Sequence, residues 1–199
     1  MSYKDIAKTI IELKNRDLEF RNQLILEDKL AHGYDNEMEH LHNENAVLLQ
    51  GIIDEIGYPT IEKVGIEGSE AAWLVIQHSI VKPEFMKMCL KLLEKEVVEN
   101  KASKINLVYL QDRVAVLQGN LQLYGTQFDW DENGELSPNP FDELAKVNQR
   151  RNSIGLNTIE EQISIIRAQV ANENQTAPKN WEERKSEFDK WRTKTGWLR

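Results

Sequence analysis

Residues 111–127, Gln-Asp-Arg-Val-Ala-Val-Leu-Gln-Gly-Asn-Leu-Gln-Leu-Tyr-Gly-Thr-Gln, set amides, a carboxylate, a guanidinium, a phenol and a hydroxyl among aliphatic side chains. Polar groups embedded in an apolar pattern are carried inside with it, and once inside they must find partners. The stretch reads as one wall of a polar pocket. Asp112 and Arg113 follow Tyr109 by three and four positions, so both border the apolar stripe of a helix opening at Ile105 and Val108. A guanidinium fork matches phosphate or carboxylate, which suits Arg113 to gripping an anion. Asp112 or Tyr124 can orient an imidazole, while Gln122, Thr126 and Gln127 can hydrogen-bond a substrate. The same groups serve equally well as a partly buried ion pair and a structural network.

The proton carrier for such a pocket is His78, whose side chain titrates near physiological pH. It closes a segment, residues 69–78, that is apolar on all sides from Ala71 to Ile76 and so belongs to a buried helix. Gln77 lies four past Trp73, and His78 four past Leu74, so both continue rows that begin apolar. A hydrogen-bonded structural histidine fits the same position. Arg150 and Arg151 end another helix, where two cations suit the negative dipole; Arg151 is the one assigned to turn inward toward an anion. Asp17 and Arg21 stand four apart, as a solvated pair or as part of the pocket. His40 and His42 are two apart and point in different directions on a helix, and with His32 they make no metal pattern. They read as surface histidines, and neither a metal nor another cofactor is assigned. The lone Cys89, between Met88 and Leu90, reads as packing. The chain has no Walker loop, no dinucleotide glycine motif, no His-Glu-x-x-His and no Gly-x-Ser-x-Gly.

These residues need scaffolding, and hydrophobic periodicity supplies most of it. Ile6, Ile10, Leu13, Asp17, Phe20 and Leu24 recur at helical spacing after a capping-box-like Ser2 and Asp5, to about Leu30. A break at residues 32–36 leads to a second helix that ends at Ile56, before Gly57 and Pro59. Residues 58–68 read as a loop or short strand before the helix ending at His78. Pro83 opens a helix with Phe85, Cys89, Leu93 and Val97 as its core row. The next helix runs from about Ile105 to near Val114, where the period changes. Residues 114–117 and 121–124 around Gly119-Asn120 then read as a β-hairpin, with a second turn at residues 131–135. A helix from Phe141 is followed by Gly155, and Asn157-Thr158 with Glu161 starts another on Ile159, Ile163, Ile166 and Val170. The expected fold is mainly α: a helical domain over residues 1–171, with an inserted hairpin at about 114–130. A Trp-rich C-terminal extension, 172–199, carries Trp181, Phe188, Trp191 and Trp197, of which Trp181, Phe188 and Trp191 share one helix face that docks on the domain or binds a protein partner.

Composition narrows the function classes. Lys and Arg number 25 against 33 Asp and Glu, a net charge of −8 that argues against general nucleic-acid binding. The N-terminus lacks the apolar core of a signal peptide, and no apolar run approaches the roughly 20 residues of a membrane span. The expectation is a cytoplasmic protein that does not enter membranes.

The set Asp17-x-x-x-Arg21, Gly57-Tyr58-Pro59-Thr60, Val64-Gly65, Ala72-Trp73-x-x-x-Gln77-His78, Leu110-x-Asp112-Arg113, Gln122-x-Tyr124-Gly125-Thr126-Gln127 and Arg150-Arg151-x-x-x-Gly155-Leu156 resembles a bacterial family, DUF6624, a domain of unknown function. The resemblance spans roughly residues 15–168 and leaves the Trp-rich tail outside. Tyr58 stands where the family pattern has tryptophan, which keeps an aromatic. The resemblance implies no established reaction, but it does imply that these polar residues belong together.

Three readings follow. In the first, the protein is a metal-independent hydrolase or transferase of a small anionic, phosphate- or carboxylate-bearing substrate. His78, Asp112 and Tyr124 are then catalytic, and Gln77, Arg113, Gln122, Thr126, Gln127 and Arg151 bind substrate. In the second, the same groups form a non-catalytic ligand site or a structural network. In the third, the chain is an interaction protein that uses its Trp-rich tail.

Overall fold

The computed structural model of the protein describes residues 2–27, 36–173 and 175–198. The described residues form eight helices and one two-stranded antiparallel sheet, a mainly α fold with a β-hairpin. They fall into two compact units, residues 1–103 and 104–199, so the expected boundary at 171 lies inside the second unit.

The first unit consists of α1 (Tyr3–Leu26), α2 (Asn36–Ile56), α3 (Ile61–His78) and α4 (Pro83–Val98). Ser2 caps α1 by accepting the Asp5 N–H at 3.3 Å. The expected end of α1 at Leu30 and the break at His32 lie outside the described residues. α1 buries Ile6, Ile10, Leu13, Asp17 and Leu24 and packs chiefly on α3. Gly68 of α3 faces α1: a Cβ there would stand at an ordinary 3.5 Å from that of Ala7 and at a tighter 3.0 Å from that of Val64 in its own helix. The segment expected as loop or strand, 58–68, is helical from Ile61, with one break at Gly65 (φ 73°, ψ 172°). The early turn has a task. Lys63 on it donates to the carbonyls of Ile56 (2.6 Å) and Tyr58 (3.0 Å), satisfying acceptors at the end of α2. α4 starts on Pro83 and buries Phe85, Met86, Cys89 and Leu93, as its spacing requires. Burial raises the Cys89 thiol far above its ordinary range, which keeps it an inert packing group.

The second unit consists of α5 (Lys104–Leu117), β1 (Phe128–Trp130), β2 (Leu136–Pro138), α6 (Leu144–Asn152), α7 (Ile159–Asn172) and α8 (Trp181–Thr195). The hairpin pairs Phe128 with Pro138, Asp129 with Ser137 and Trp130 with Leu136. It therefore lies downstream of the position expected from sequence. Residues 114–117, expected as its first arm, are the last turn of α5, because Val114 and Leu117 extend the buried stripe of Leu110 at helical spacing. Gly119 (φ 74°) ends that helix, and residues 121–127 form no strand, Gln122 making only an isolated parallel bridge with Phe141. The hairpin turn is the one built on Asp131, whose Oδ1 accepts the N–H groups of Asn133 (2.9 Å) and Glu135 (3.0 Å). Thr158 and Glu161 form the full capping box at the start of α7. The C-terminal helix is tied into the unit: the Trp181 indole donates to the Trp130 carbonyl at 3.0 Å, and Arg192 Nη1 to that of Val116 at 2.9 Å. Phe188 and Trp191 stack at 5.8 Å, and Trp197 is buried. No helix of the described residues is long and apolar enough to cross a membrane.

Candidate functional site

The polar residues singled out in the second unit converge on one loop, 122–127. Asp112, on the buried stripe of α5, accepts the N–H groups of Leu123 (2.8 Å), Tyr124 (3.2 Å) and Thr126 (3.0 Å). Gln122 is fully buried. Its amide donates to the carbonyls of Gln127 (3.0 Å) and Asn139 (2.8 Å), and its Oε1 accepts the Gln127 N–H at 2.7 Å. The Gln127 amide donates to Thr126 Oγ1 at 3.0 Å and accepts from Arg113 Nε at 3.0 Å. Arg151, 1% exposed, donates through Nε and Nη2 to the backbone and side-chain oxygens of Asn157 at 2.5 and 2.9 Å, and through Nη1 to the Tyr124 carbonyl at 2.8 Å. Gly125 (φ 61°) lets the loop pass beneath Ile159, whose Cδ1 would stand 2.2 Å from any added Cβ.

Burial raises the Asp112 carboxyl above its ordinary value, and the backbone N–H groups oppose that rise. Burial lowers the Arg113 guanidinium to about 10 and also lowers that of Arg151; Arg113 at about 10 stays charged at neutral pH. The chemistry of this assembly is conformational. Asp112 and Arg151 bind backbone from opposite signs of charge, and their hydrogen-bonding capacity goes to the protein's own loop.

His78 and Gln77 belong to the first unit, at the end of α3, where a different group surrounds the imidazole. His78 Nδ1 lies 2.8 and 3.0 Å from the two oxygens of Asp17, a carboxylate 1% exposed on the core row of α1. His42 Nε2, from α2, lies 3.2 Å from the same carboxylate, and the two imidazole rings are 5.0 Å apart. Three helices thus each supply one side chain. The His78 side chain is 28% exposed, while those of His42 and Asp17 are 8% and 1% exposed. Nδ1 is the ring nitrogen turned to the carboxylate, and Nε2 is the other. Desolvation pushes the Asp17 carboxyl up, but the hydrogen bonds of His42 and His78 outweigh it and bring it down to about 2. The carboxylate is charged throughout the physiological range.

The carboxylate that meets the His78 ring is Asp17, and His42 is buried, not on the surface. The signal for His42 lay in its row: it sits four past Met38 and four before Ala46, both buried, whereas its spacing from the exposed His40 was uninformative. His32 lies outside the described residues.

No curated protein and no solved structure matches the chain. A family model does, described as a family of unknown function (DUF6624), and it covers residues 5–172, which include every residue of both clusters. The chain belongs to that family.

Proposed function

We propose that the first unit carries an acid–base centre and that the protein is a hydrolase or transferase of a small anionic substrate, acting in the bacterial cytoplasm without a bound metal. The observation that carries this reading is the pairing of a partly exposed imidazole with a fully buried carboxylate through Nδ1. That bond fixes the tautomer, placing the lone pair of neutral His78 on Nε2, and stabilises the imidazolium formed when Nε2 takes a proton. Nε2 accepts the proton of an attacking hydroxyl or water and returns it to the leaving group. His42 braces the other side of the carboxylate. Arg21, one turn beyond Asp17 on α1 and exposed, supplies in this reading the positive charge for the substrate's anionic group.

The test is hydrolysis of a chromogenic panel of phosphate monoesters and short carboxylate esters by the full chain. The expected result is turnover of one class that falls roughly 10²–10⁴-fold in His78→Gln, the usual contribution of a general acid–base. Retention of that turnover in a folded His78→Gln protein removes His78 from the reaction. The reading of the Trp-rich tail as a partner surface has less support, because Trp181, Phe188, Trp191 and Arg192 already make contacts within their own unit.

A further inference from the structure

We infer that Asp17, His42 and His78 form a binding site for one divalent transition-metal ion of the zinc class. One potential ligand atom from each of the three residues lies within 4.8 Å of the others. Two imidazoles and one carboxylate are a ligand set that favours zinc, cobalt or nickel over magnesium or calcium, which prefer oxygen alone. At metal–ligand distances of about 2.0–2.1 Å, tetrahedral ligands stand about 3.3 Å from one another. The Asp17–His42 separation of 3.2 Å already matches, and the Asp17–His78 separation of 2.8 Å needs only a few tenths of an ångström of opening.

The surroundings suit an ion as well. The ligands come from three different helices, α1, α2 and α3, so helix packing and not a loop brings their ligand atoms within 4.8 Å of one another. Asp17 and His42 are buried, which shields the ion from water on the inner side, while the half-exposed His78 leaves an entry path. Three protein ligands leave a fourth position for water, the arrangement of an open site rather than a closed structural one.

Ion binding does not require the protein to be an enzyme. It does have a consequence that rests on the acid–base reading. His78 Nδ1 serves the carboxylate in the ion-free protein and the ion in the loaded one, so the two states exclude each other, and loading silences His78 as an oriented proton carrier. Zinc is then an inhibitor of the centre and not its cofactor.

The test titrates chelator-treated full-length protein with Zn2+ by calorimetry and with Co2+ by visible absorption. The expected result is one ion per chain and a cobalt spectrum of low coordination number. Affinity should fall in His42→Ala and in His78→Gln by more than the roughly 10–100-fold that loss of a mere outer-shell partner costs. His40→Ala removes an exposed imidazole paired with Glu44 and should leave the titration unchanged. If His42→Ala does not fold, His78→Gln alone decides, because that side chain is partly exposed. Absence of stoichiometric binding, or binding that survives both substitutions, overturns the site. Activity enters separately: one-to-one zinc binding without loss of a measured turnover leaves the site standing and removes the acid–base reading instead.

Discussion

The two units each bury a carboxylate among partners, and the partners differ in kind. Around Asp112 they are backbone N–H groups, which cannot leave, cannot titrate and have no second conformation to offer without moving the chain. Around Asp17 they are two imidazoles, side chains from two other helices, each with a second ring nitrogen that turns away from the carboxylate. In the second unit the carboxylate is a fastener for loop 122–127. In the first it holds a ring that is 28% exposed. Burial, charge and polarity are alike in the two places, so what separates a structural network from a chemical site is whether any member keeps capacity unsatisfied by the fold.

The strongest way to break this comparison is to remove the fastener. Asp112→Ala leaves three N–H groups without their acceptor; at about 1–3 kcal/mol per stranded group, the second unit should lose about 4 kcal/mol. That is a large share of the 5–15 kcal/mol typical of a domain. Urea denaturation, with hydrogen exchange of α5 and the loop as a local readout, checks it. A loss under 1 kcal/mol would mean that water replaces the carboxylate and that the loop is not held as described. Next in size, Gly125→Ala forces a Cβ into Ile159 at a left-handed φ of 61°. Overpacking and backbone strain together predict a loss of about 2–3 kcal/mol, read from the same denaturation curves.

The first unit should respond to acid. The Asp17 carboxyl lies at about 2 in the folded protein against an ordinary 3.8, so its ionised form is favoured by folding. A depressed carboxylate contributes stability that is fully present above the unfolded value and is lost as pH falls through the folded one. The window runs from about pH 4 down to about pH 2, and the contribution is about 2 kcal/mol. Hydrogen exchange of α1 and α3 amides should show a loss of protection across that window in the natural protein and a weaker one in Asp17→Asn. Equal acid sensitivity in both proteins would show that the carboxylate is not held by its imidazoles.

The parts of this architecture legible in the sequence are those set by repetition. The rows Ile6–Ile10–Leu13 and Phe85–Cys89–Leu93 predict helices with the right inward faces, because a helix buries whatever recurs every three to four residues. Residues 114–117 show the limit of that reading. Val-Ala-Val-Leu is a strand-like string, yet its place one turn beyond Leu110 settles it as helix, since tertiary burial outweighs the weak local preference of valine. The second-unit cluster was legible as a group, because amides and charges interrupt apolar runs there. Its role was not, because the role depends on counting donors against acceptors, and the loop N–H groups that fill Asp112 have no letter in the sequence. Asp17 and His42 were obscured differently. Each occupies a core position on a separate helix, and only the packing of α1, α2 and α3 reveals that they answer one another.

The smallest expected change in stability sharpens the comparison most. His78→Gln replaces a ring 28% exposed with an amide whose N–H can still reach the Asp17 carboxylate, so no buried acceptor is stranded. The cost should stay below about 1 kcal/mol, within the ordinary range for a partly exposed substitution. In the second unit, by contrast, Asp112, Gln122 and Arg151 are each 1% exposed or less, and each holds backbone in place. If His78→Gln unfolds the first unit as Asp112→Ala unfolds the second, the imidazole is one more fastener and the two clusters are of one kind. If it leaves the denaturation midpoint in place, the fold does not need the ring, and the two clusters differ in kind.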